Sequence, residues 1–578
     1  MNISGKVYRK SVLIIILMAL MVAVLQGNPY TSVAFGVDRQ PQIAAFFAIS
    51  LLVACCFVRS YISGKLSTER KILWIVFFGT LMRTFYVLFT DIWTLQNDGG
   101  TFTGFGTPDI NNGHIGYIEY IYKFFHLPDM NPYDHFGYYH PPLHHIIEAI
   151  WLTVQRLIGV PEALAFENLQ VPTLIYSSLC IVVMLHILEE CKASEKGICF
   201  GMALFAFHPR MMVLAGSVNN DILALLLLLT TIWRTLVWIR DKSFINIVLI
   251  ALSLGFGMVS KLNTAICAFS IALVFLCYLI WCIRDGNLIE LRDCILEYLL
   301  FGVIVIPLGL SYIIRNLILF GEKPGIPSPA LIPSESVMYT GTYSVWSIIG
   351  IPGIADLHVE FPFHPISAAS IHNSWVILFQ TGLFAEAFPA EINDYLLAFA
   401  QIAYVASIIA AIVTSVAFFV CYFAAYKERD TRLRTTFVLF TYIFMIISYS
   451  LFVFKYPYTC SSDFRYMTAS LVFTSLGLVK IQEGFKRNSA ARDGLSHGRL
   501  GQEGVAKGGS NREGAANSCV SQSKIGQNGV TKAGLSQGEH GQNGVTGTLG
   551  RVIRFVTNTA VVLTLVCSAV VYMFWDLH

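Results

Sequence analysis

Residues 91–170 form a polar, aromatic segment between two hydrophobic stretches, and Asp98 lies within it. Loops of this length are usually functional or disordered. The many aromatic residues and prolines of this segment argue against a disordered tether. A carboxylate can take a proton from an attacking hydroxyl group. We therefore predict a catalytic role for Asp98; the alternative is a turn residue before Gly99 and Gly100.

Further ionisable or amide side chains stand at the ends of apolar stretches, where they are costly and mark functional sites. Asp221 is predicted to be catalytic, although Asp also suits the first position of a helix. The others are predicted to bind substrate, and they are Lys261, Arg315, Asn316, Asp463 and Arg465. Alternatives stay open, because Arg315 can extend toward the interface without binding anything and Arg465 can pair with Asp463.

Three histidines follow one another at short spacing within the segment 91–170. His140, His144 and His145 have i, i+4 and i+5 spacing, and the first two can share one face of a helix. A metal pair is conceivable, but we favour a packed juxtamembrane helix that lines a pocket, with His140 and His144 as substrate-binding residues. No cofactor is predicted with certainty, and a divalent metal stays an open alternative.

The elements that must position these residues are membrane-spanning helices. Hydrophobic residues make up 55% of the 578 residues and charged residues 13%, against about 25% in soluble domains. A bilayer core requires about 20 apolar residues per helix. We therefore predict an all-α polytopic membrane protein of about 13 transmembrane helices with large outward loops that carry juxtamembrane helices. The predicted spans are 11–27, 41–58, 72–90, 171–188, 197–216, 222–239, 245–260, 262–283, 298–316, 396–421, 436–455, 466–480 and 553–575.

Lysine and arginine mark the cytoplasmic loops of membrane proteins. They are concentrated in one set of loops and absent between Gly325 and Tyr395. The pattern predicts a cytoplasmic N-terminus and outward loops at 91–170 and 317–395, in a cell membrane. The first span has no clear cleavage site and is predicted to be a retained signal anchor.

The chain divides into four predicted regions. Gly, Ser, Gln and Asn dominate one of them, and Gly-Gln-Asn-Gly-Val occurs in it twice without any apolar period. That composition predicts a disordered cytoplasmic linker. The regions are an N-terminal pair of helices at 1–71, a catalytic core at 72–480, the linker at 481–550 and a last transmembrane helix at 551–578.

The combination of these side chains indicates a chemistry. Carboxylates can activate an acceptor, and Arg and Lys can stabilise the charge that develops on a leaving phosphate. Aromatic rings beside carboxylates suit sugars, and the location at a membrane favours a lipid-linked substrate. We therefore predict glycosyl transfer from a lipid phosphate at the outer face of the membrane, with the lipid bilayer as a partner and no nucleic-acid partner.

The order of the motifs also resembles a known superfamily. An acidic residue in a large first outward loop precedes YYHPPLHHII, and FHPRMMVLAGSVNND, SKLN, IIRNLILFG and YPYTCSSDFRY follow. Over about 72–480 this resembles the GT-C superfamily of glycosyltransferases, and most of all bacterial members of glycosyltransferase family 39, which includes protein O-mannosyltransferases and the aminoarabinose transferase. The resemblance implies an inverting transfer from a polyprenyl-phosphate-linked sugar to a protein, lipid or cell-envelope glycan.

One position departs from that family. Many members have Asp-Glu in the first acidic motif, whereas Gly99 follows Asp98 here. Asp109 and Glu119 are the candidates to replace the missing glutamate. Two alternatives from other classes are a transporter or flippase of a polar lipid and a non-catalytic scaffold of the same fold.

Overall fold

The structure is a computed structural model, and the described segments are composed of helices, turns and loops without a β-strand. It describes residues 3, 5–32, 40–64, 66–94, 112–325, 333–386, 389, 391–426, 429–484 and 539–574. The all-α prediction is confirmed. The α-helices are α1 Gly5–Gln26, α2 Gln40–Ile62, α3 Thr68–Phe89, α4 Gly113–Phe124, α5 Leu143–Leu157, α6 Glu162–Glu167, α7 Gln170–Glu190, α8 Glu195–Phe207, α9 Pro209–Gly216, α10 Asp221–Arg240, α11 Phe244–Ser260, α12 Ile266–Asp285, α13 Leu288–Phe320, α14 Val345–Ile349, α15 Ser374–Phe384, α16 Asp394–Ala425, α17 Arg429–Lys455, α18 Ser470–Glu483 and α19 Glu539–Phe574.

Each of the thirteen predicted spans falls on one of these helices, except that 197–216 is divided between α8 and α9. Within the described residues, nine helices are long and apolar enough to cross a membrane, and ten if the bent pair α8–α9 counts as one span. The multi-pass prediction is confirmed, whereas the count of thirteen is not. Three predicted spans account for the difference. α11 has 17 residues and α18 has 14, and the apolar part of α2 extends only over Phe47–Ile62, which is short for a bilayer core.

Polar residues at the helix ends explain where several of these helices begin and stop. The side chains of Ser67 and Ser194 accept hydrogen bonds from backbone N–H groups of the first turns of α3 and α8. Asn287 does the same for α13. Gly286 and Gly321 end α12 and α13 in the left-handed conformation, which glycine adopts without strain.

The chain bends by 47° between α8 and α9. His208 occupies the break, and its Nδ1 accepts a hydrogen bond from the backbone N–H of Arg210 at 3.3 Å. The carbonyl of Ala206 thereby loses its usual helical partner and accepts instead from Nη1 of the fully buried Arg83 at 2.6 Å. Arg83 also donates to the hydroxyl of Ser177 at 2.8 Å. It therefore joins α3 and α7 to the break and fixes the direction of α9.

One group of helices packs around α7 and α10. α7 contacts α1, α3, α9 and α10, while α10 contacts α11, and α11 contacts α13. The side chain of Gln26 at the end of α1 donates to the carbonyl of Val87 and to Oε1 of Gln170, each at 3.0 Å. Residues 1–483 and 556–578 belong to one compact unit. Within this unit α1, from the predicted N-terminal pair of helices at 1–71, packs against α3 and α7.

The second unit comprises residues 484–555 and includes the first part of α19. Most of the predicted linker, 485–538, lies outside the described residues. The helix α19 begins at Glu539, inside the predicted linker 481–550, while its membrane-compatible part begins at Thr548; the predicted boundary near 551 stays a prediction. An apolar helix can extend into a polar neighbouring sequence because each added residue contributes one further backbone hydrogen bond.

Candidate functional site

A cleft of about 430 Å³ lies between α10, α13, α17 and the loops around residues 140, 261 and 465. It brings together five of the side chains that the sequence predicts to act on a substrate. They are His140, Asp221, Lys261, Asn316 and Arg465. Because they come from separate parts of the chain, their convergence is a property of the fold.

Asp221 and Lys261 form a buried ion pair in this cleft. Asp221 begins α10 and is 7% exposed, and its carboxylate accepts a hydrogen bond from Nζ of Lys261. The backbone N–H of Asp221 donates to Oδ1 of Asn219 at 3.0 Å. Asn220 donates to the carbonyl of Ser260 at 2.8 Å, which ties the start of α10 to the end of α11. These contacts hold both charged groups in one place.

Two cations share one aromatic ring at this end of the cleft. Nζ of Lys261 lies 4.9 Å from the centroid of the Tyr466 ring, and the guanidinium carbon of Arg465 lies 5.5 Å from it. Arg465 also lies 3.7 Å from Oε1 of Glu386. An anion that enters the cleft therefore meets two positive groups beside a flat aromatic surface.

The remainder of the cleft is largely apolar. Leu225 and Leu228 of α10, Ile313 of α13 and Met445 and Phe452 of α17 contribute to its walls. Since these residues lie on helices that are long and apolar enough to span a membrane, the cleft combines a charged end with hydrocarbon-compatible walls.

Asp463 does not line the cleft, although the sequence predicts it to bind substrate. Its Oδ1 lies 2.7 Å from Nη2 of Arg210, and both side chains are buried. The same oxygen accepts a hydrogen bond from the backbone N–H of Arg465 at 2.6 Å. Arg465 is therefore not the side-chain ion partner of Asp463; Arg210 is.

The histidines form a cluster behind one wall, in which His114, His144 and His145 are buried and His140 is half-buried. His140 lines the cleft and stacks on His114, with ring centroids 5.3 Å apart. Nδ1 of His114 lies 2.9 Å from Nε2 of His145. Burial lowers the pKa of His140 well below its usual value, and the positive charge of Lys261 lowers it further. His140 is therefore neutral near pH 7.

His144 lies deeper and does not line the cleft. It is fully buried, and its Nδ1 lies 3.9 Å from Oε1 of Glu148. Burial lowers the pKa of His144 to about 3 and raises the pKa of the Glu148 carboxyl well above its usual value. His144 is therefore neutral near pH 7, and its side chain faces Glu148 and not a ligand in the cleft. In the segments that the structure describes, no group of three or more His, Cys, Asp or Glu side chains is arranged to hold a metal ion.

Arg315 and Asn316 point to different surroundings. Asn316 lines the cleft, whereas Arg315 donates to the carbonyl of Pro128 and, at 3.0 Å, to Oδ1 of Asn316. Arg315 therefore holds the 128 loop and orients Asn316, and it does not itself line the cleft.

Asp98 and Asp109 lie outside the described residues. The third acidic candidate of the first outward segment, Glu119, lies on α4 and pairs with Lys123 at 2.5 Å, away from the cleft. Of the tyrosines in this segment, Tyr139 lines the cleft, while Tyr117 and Tyr138 are buried and stacked with centroids 4.6 Å apart.

Sequence reasoning missed several residues of this region. Arg210 stands inside the FHPRMMVLAGSVNND motif, yet its partner lies 253 residues away. Glu148 follows His144 at i+4, which is a signal of a shared helix face. Lys455 and Tyr133 line other parts of the cleft and have no local pattern that would have indicated them.

One family model matches part of this chain. Residues 140–310 match the family model described as dolichyl-phosphate-mannose-protein mannosyltransferase. The matched part contains His140, Asp221 and Lys261, and it confirms the resemblance to the GT-C superfamily. A search of the curated proteins found no match.

Two solved structures show a remote likeness. The archaeal oligosaccharyltransferase AglB from Archaeoglobus fulgidus, in complex with an inhibitory peptide and a dolichol-phosphate, is 11% identical with a TM-score of 0.41; the match covers 86% of this chain and 56% of that chain. ArnT from Cupriavidus metallidurans, bound to undecaprenyl phosphate, is 14% identical with a TM-score of 0.28; the match covers 73% of this chain and 81% of that chain. This chain thus spans little more than half of the oligosaccharyltransferase.

Proposed function

We propose that this protein, a member of the GT-C superfamily of membrane glycosyltransferases, transfers a sugar from a polyprenyl-phosphate donor to an acceptor. We further propose that the transfer inverts the configuration at the anomeric carbon and takes place at the outer face of the cell membrane, with the N-terminus in the cytoplasm. The acceptor is a protein, a lipid or a cell-envelope glycan.

The amphipathic character of the cleft carries this proposal. Lys261 and Arg465 stand beside Tyr466, and the apolar residues of α10, α13 and α17 line the remaining walls. A polyprenyl-phosphate sugar has the matching arrangement of a negatively charged phosphate between a hydrocarbon tail and a polar sugar. A soluble nucleotide-sugar has no part that would gain from the apolar walls.

The chemistry requires an acceptor to replace the phosphate on the anomeric carbon. The acceptor oxygen or nitrogen forms the new bond, the bond between the anomeric carbon and the phosphate oxygen breaks, and the electron pair leaves with the phosphate. Lys261 and Arg465 offer charge-assisted hydrogen bonds to that phosphate. Holding both reactants in one cleft removes much of the entropic cost of their encounter.

The acidic residues take different roles in this proposal. Asp221 is joined to Lys261, so we assign it the orientation of the Lys261 ammonium group. Asp98, whose position is not described, is proposed as the base that receives the acceptor proton. His140 is neutral and lines the cleft, so it can form hydrogen bonds to sugar hydroxyls.

The direct test is transfer by the purified protein in nanodiscs. Polyprenyl-phosphate hexoses with a labelled sugar are supplied with peptide, lipid and glycan acceptors, and a labelled product is measured by mass spectrometry. The anomeric configuration of the product, determined by NMR, tests inversion. Translocation of the donor without any product indicates the flippase alternative, and neither transfer nor translocation indicates a scaffold.

A further inference from the structure

The contact between Arg210 and Asp463 has no part in the proposed chemistry, yet it joins α9 to the turn at 463–466, which supplies Arg465 and Tyr466 to the cleft. Arg210 belongs to α9 and is 4% exposed, and Asp463, at 1% exposure, precedes α18. Neither side chain lines the cleft. A buried ion pair is costly to form and need not add net stability, so the geometry that it enforces is the informative feature.

Oδ1 of Asp463 makes two contacts at once. It lies 2.7 Å from Nη2 of Arg210 and accepts the backbone N–H of Arg465 at 2.6 Å. The side chain therefore closes a tight turn whose following residues, Arg465 and Tyr466, line the cleft. Because this oxygen is held in place, the backbone positions of Arg465 and Tyr466 are held as well.

The intervening residue packs on the opposite side of the turn. The backbone N–H of Phe464 donates to Oγ1 of Thr381 at 2.9 Å, and its ring stacks on His208 with centroids 5.4 Å apart. Nη1 of Arg210 also donates to the carbonyl of Thr381 at 3.4 Å. Arg210 thus contacts both Asp463, which closes the turn, and Thr381, whose hydroxyl accepts the N–H of Phe464.

The same stretch of chain continues from Arg210 to Asp221. α9 ends at Gly216, and α10 begins at Asp221, which pairs with Lys261. One short segment therefore holds the Lys261 side of the site through Asp221 and the Arg465 side through Arg210. The two sides meet at Tyr466, which lies beside both cations.

We propose that Arg210 is a positioning residue that, through Asp463, holds the turn at 463–466 so that Arg465 and Tyr466 face Lys261 across the cleft. This inference rests on the proposed function only for its effect on sugar transfer. Its effect on the turn itself can be measured without any substrate.

The experiment compares Arg210→Met, Arg210→Lys and the double variant Arg210→Met/Asp463→Asn, each as full-length protein in nanodiscs. The Asn side chain can still accept the N–H of Arg465, and the double variant contains no unpaired buried charge. Arg292→Met is the matched control, because Arg292 is exposed and pairs with its neighbour Asp293. Hydrogen exchange at the amides of residues 464–466, Tm and turnover with a polyprenyl-phosphate hexose are measured.

Arg210→Met is expected to lower Tm, and the double variant to regain most of that loss because the unpaired charge is gone. Positioning predicts that the double variant still exchanges the amides of 464–466 faster than wild type and turns over about tenfold more slowly or worse. Arg210→Lys should recover part of the slow amide exchange and part of the turnover, because lysine keeps the charge but not the planar guanidinium group. The control should match wild type.

The inference is overturned if the double variant regains wild-type exchange, because the substituted asparagine alone then holds the turn and Arg210 only neutralises a charge. Wild-type turnover in the double variant overturns it equally. Failure of the proposed function is a different result: wild-type protein then transfers no sugar, while the difference in exchange between wild type and the double variant persists.

Discussion

Replacing Lys261 by methionine perturbs the cleft at the point where stability and chemistry meet. Lys261 is 9% exposed, pairs with Asp221 and lies 4.9 Å from the ring centroid of Tyr466. Methionine keeps an unbranched side chain of similar length but removes the ammonium group. We expect two separate losses, one in the free energy of unfolding and one in the rate of transfer.

The magnitudes follow from burial and charge. Without Lys261, the Asp221 carboxylate stays buried without its cation, and breaking a buried pair costs about 3–5 kcal/mol of stability. A charge-assisted hydrogen bond to the leaving phosphate contributes about 1.5–3 kcal/mol. Its loss corresponds to roughly a 10- to 150-fold lower turnover.

A second substitution separates the two losses. In Lys261→Met/Asp221→Asn no unpaired charge remains, so the free energy of unfolding should return close to that of wild type, while turnover should stay low. Asp221→Asn alone keeps the cation and should reduce turnover less than Lys261→Met. Lys480→Met is the matched control, because Lys480 pairs with Glu483 on the partly exposed end of α18.

The assay measures unfolding by denaturant titration in micelles and turnover at saturating acceptor with the donor concentration varied. Sugar transfer at the wild-type rate by the stable double variant would contradict this prediction, since no phosphate contact by Lys261 would then be needed. The prediction is also contradicted if Lys261→Met is as stable as wild type, because Asp221 would then have another partner.

Four further outcomes are expected. Asp98→Asn should fold normally and lose roughly 100- to 10,000-fold in turnover because Asn cannot take up a proton; near wild-type turnover would move the base to Asp109 or Glu119. Deleting residues 490–538 should leave activity and Tm largely unchanged because the deleted sequence lacks apolar residues for a core, and a folded but inactive product would contradict this. Arg315→Lys should shift the donor dependence slightly and Arg315→Ala more, through loss of its hold on Asn316 and the 128 loop; equal shifts in the acceptor curve would place Arg315 elsewhere. The pKa of His140 is lowered, so in the folded protein its ring becomes protonated only at a pH well below the usual pKa of histidine. His140→Gln should therefore leave the shape of the pH profile of turnover between about pH 6 and 8 unchanged. Loss of an inflection in that range would show that His140 titrates there.

Hydrophobicity was sufficient to predict the helices and the multi-pass class, because a span needs a long apolar stretch whatever it packs against, but it overstated how many of the described helices are long enough to cross a membrane. The break between α8 and α9 was not predicted. Pro209 and His208 lie in an apolar run, and the sequence does not show that the freed carbonyl of Ala206 meets the guanidinium of Arg83. Such a break is set by a partner more than a hundred residues away.

The same distinction applies to the site. Asp221, Lys261, His140, Asn316 and Arg465 do meet in one cleft, and each was conspicuous as a polar residue next to an apolar stretch. Asp463, Arg315 and His144 were equally conspicuous but face Arg210, Pro128 and Glu148 instead. Local sequence shows that a polar side chain is costly in its position, whereas only the fold shows which partner offsets that cost.

The charges of the cleft are balanced before any ligand arrives, because Lys261 pairs with Asp221 and Arg465 lies near Glu386. In the proposed reaction the donor is a phosphodiester with one negative charge, and the leaving phosphate carries close to two. The demand on the two cations therefore rises as the bond breaks, and an interaction that strengthens in the transition state accelerates the reaction. Removing the Lys261 charge should consequently lower kcat more than it weakens donor binding, and the reverse order would place Lys261 in ground-state recognition of the donor.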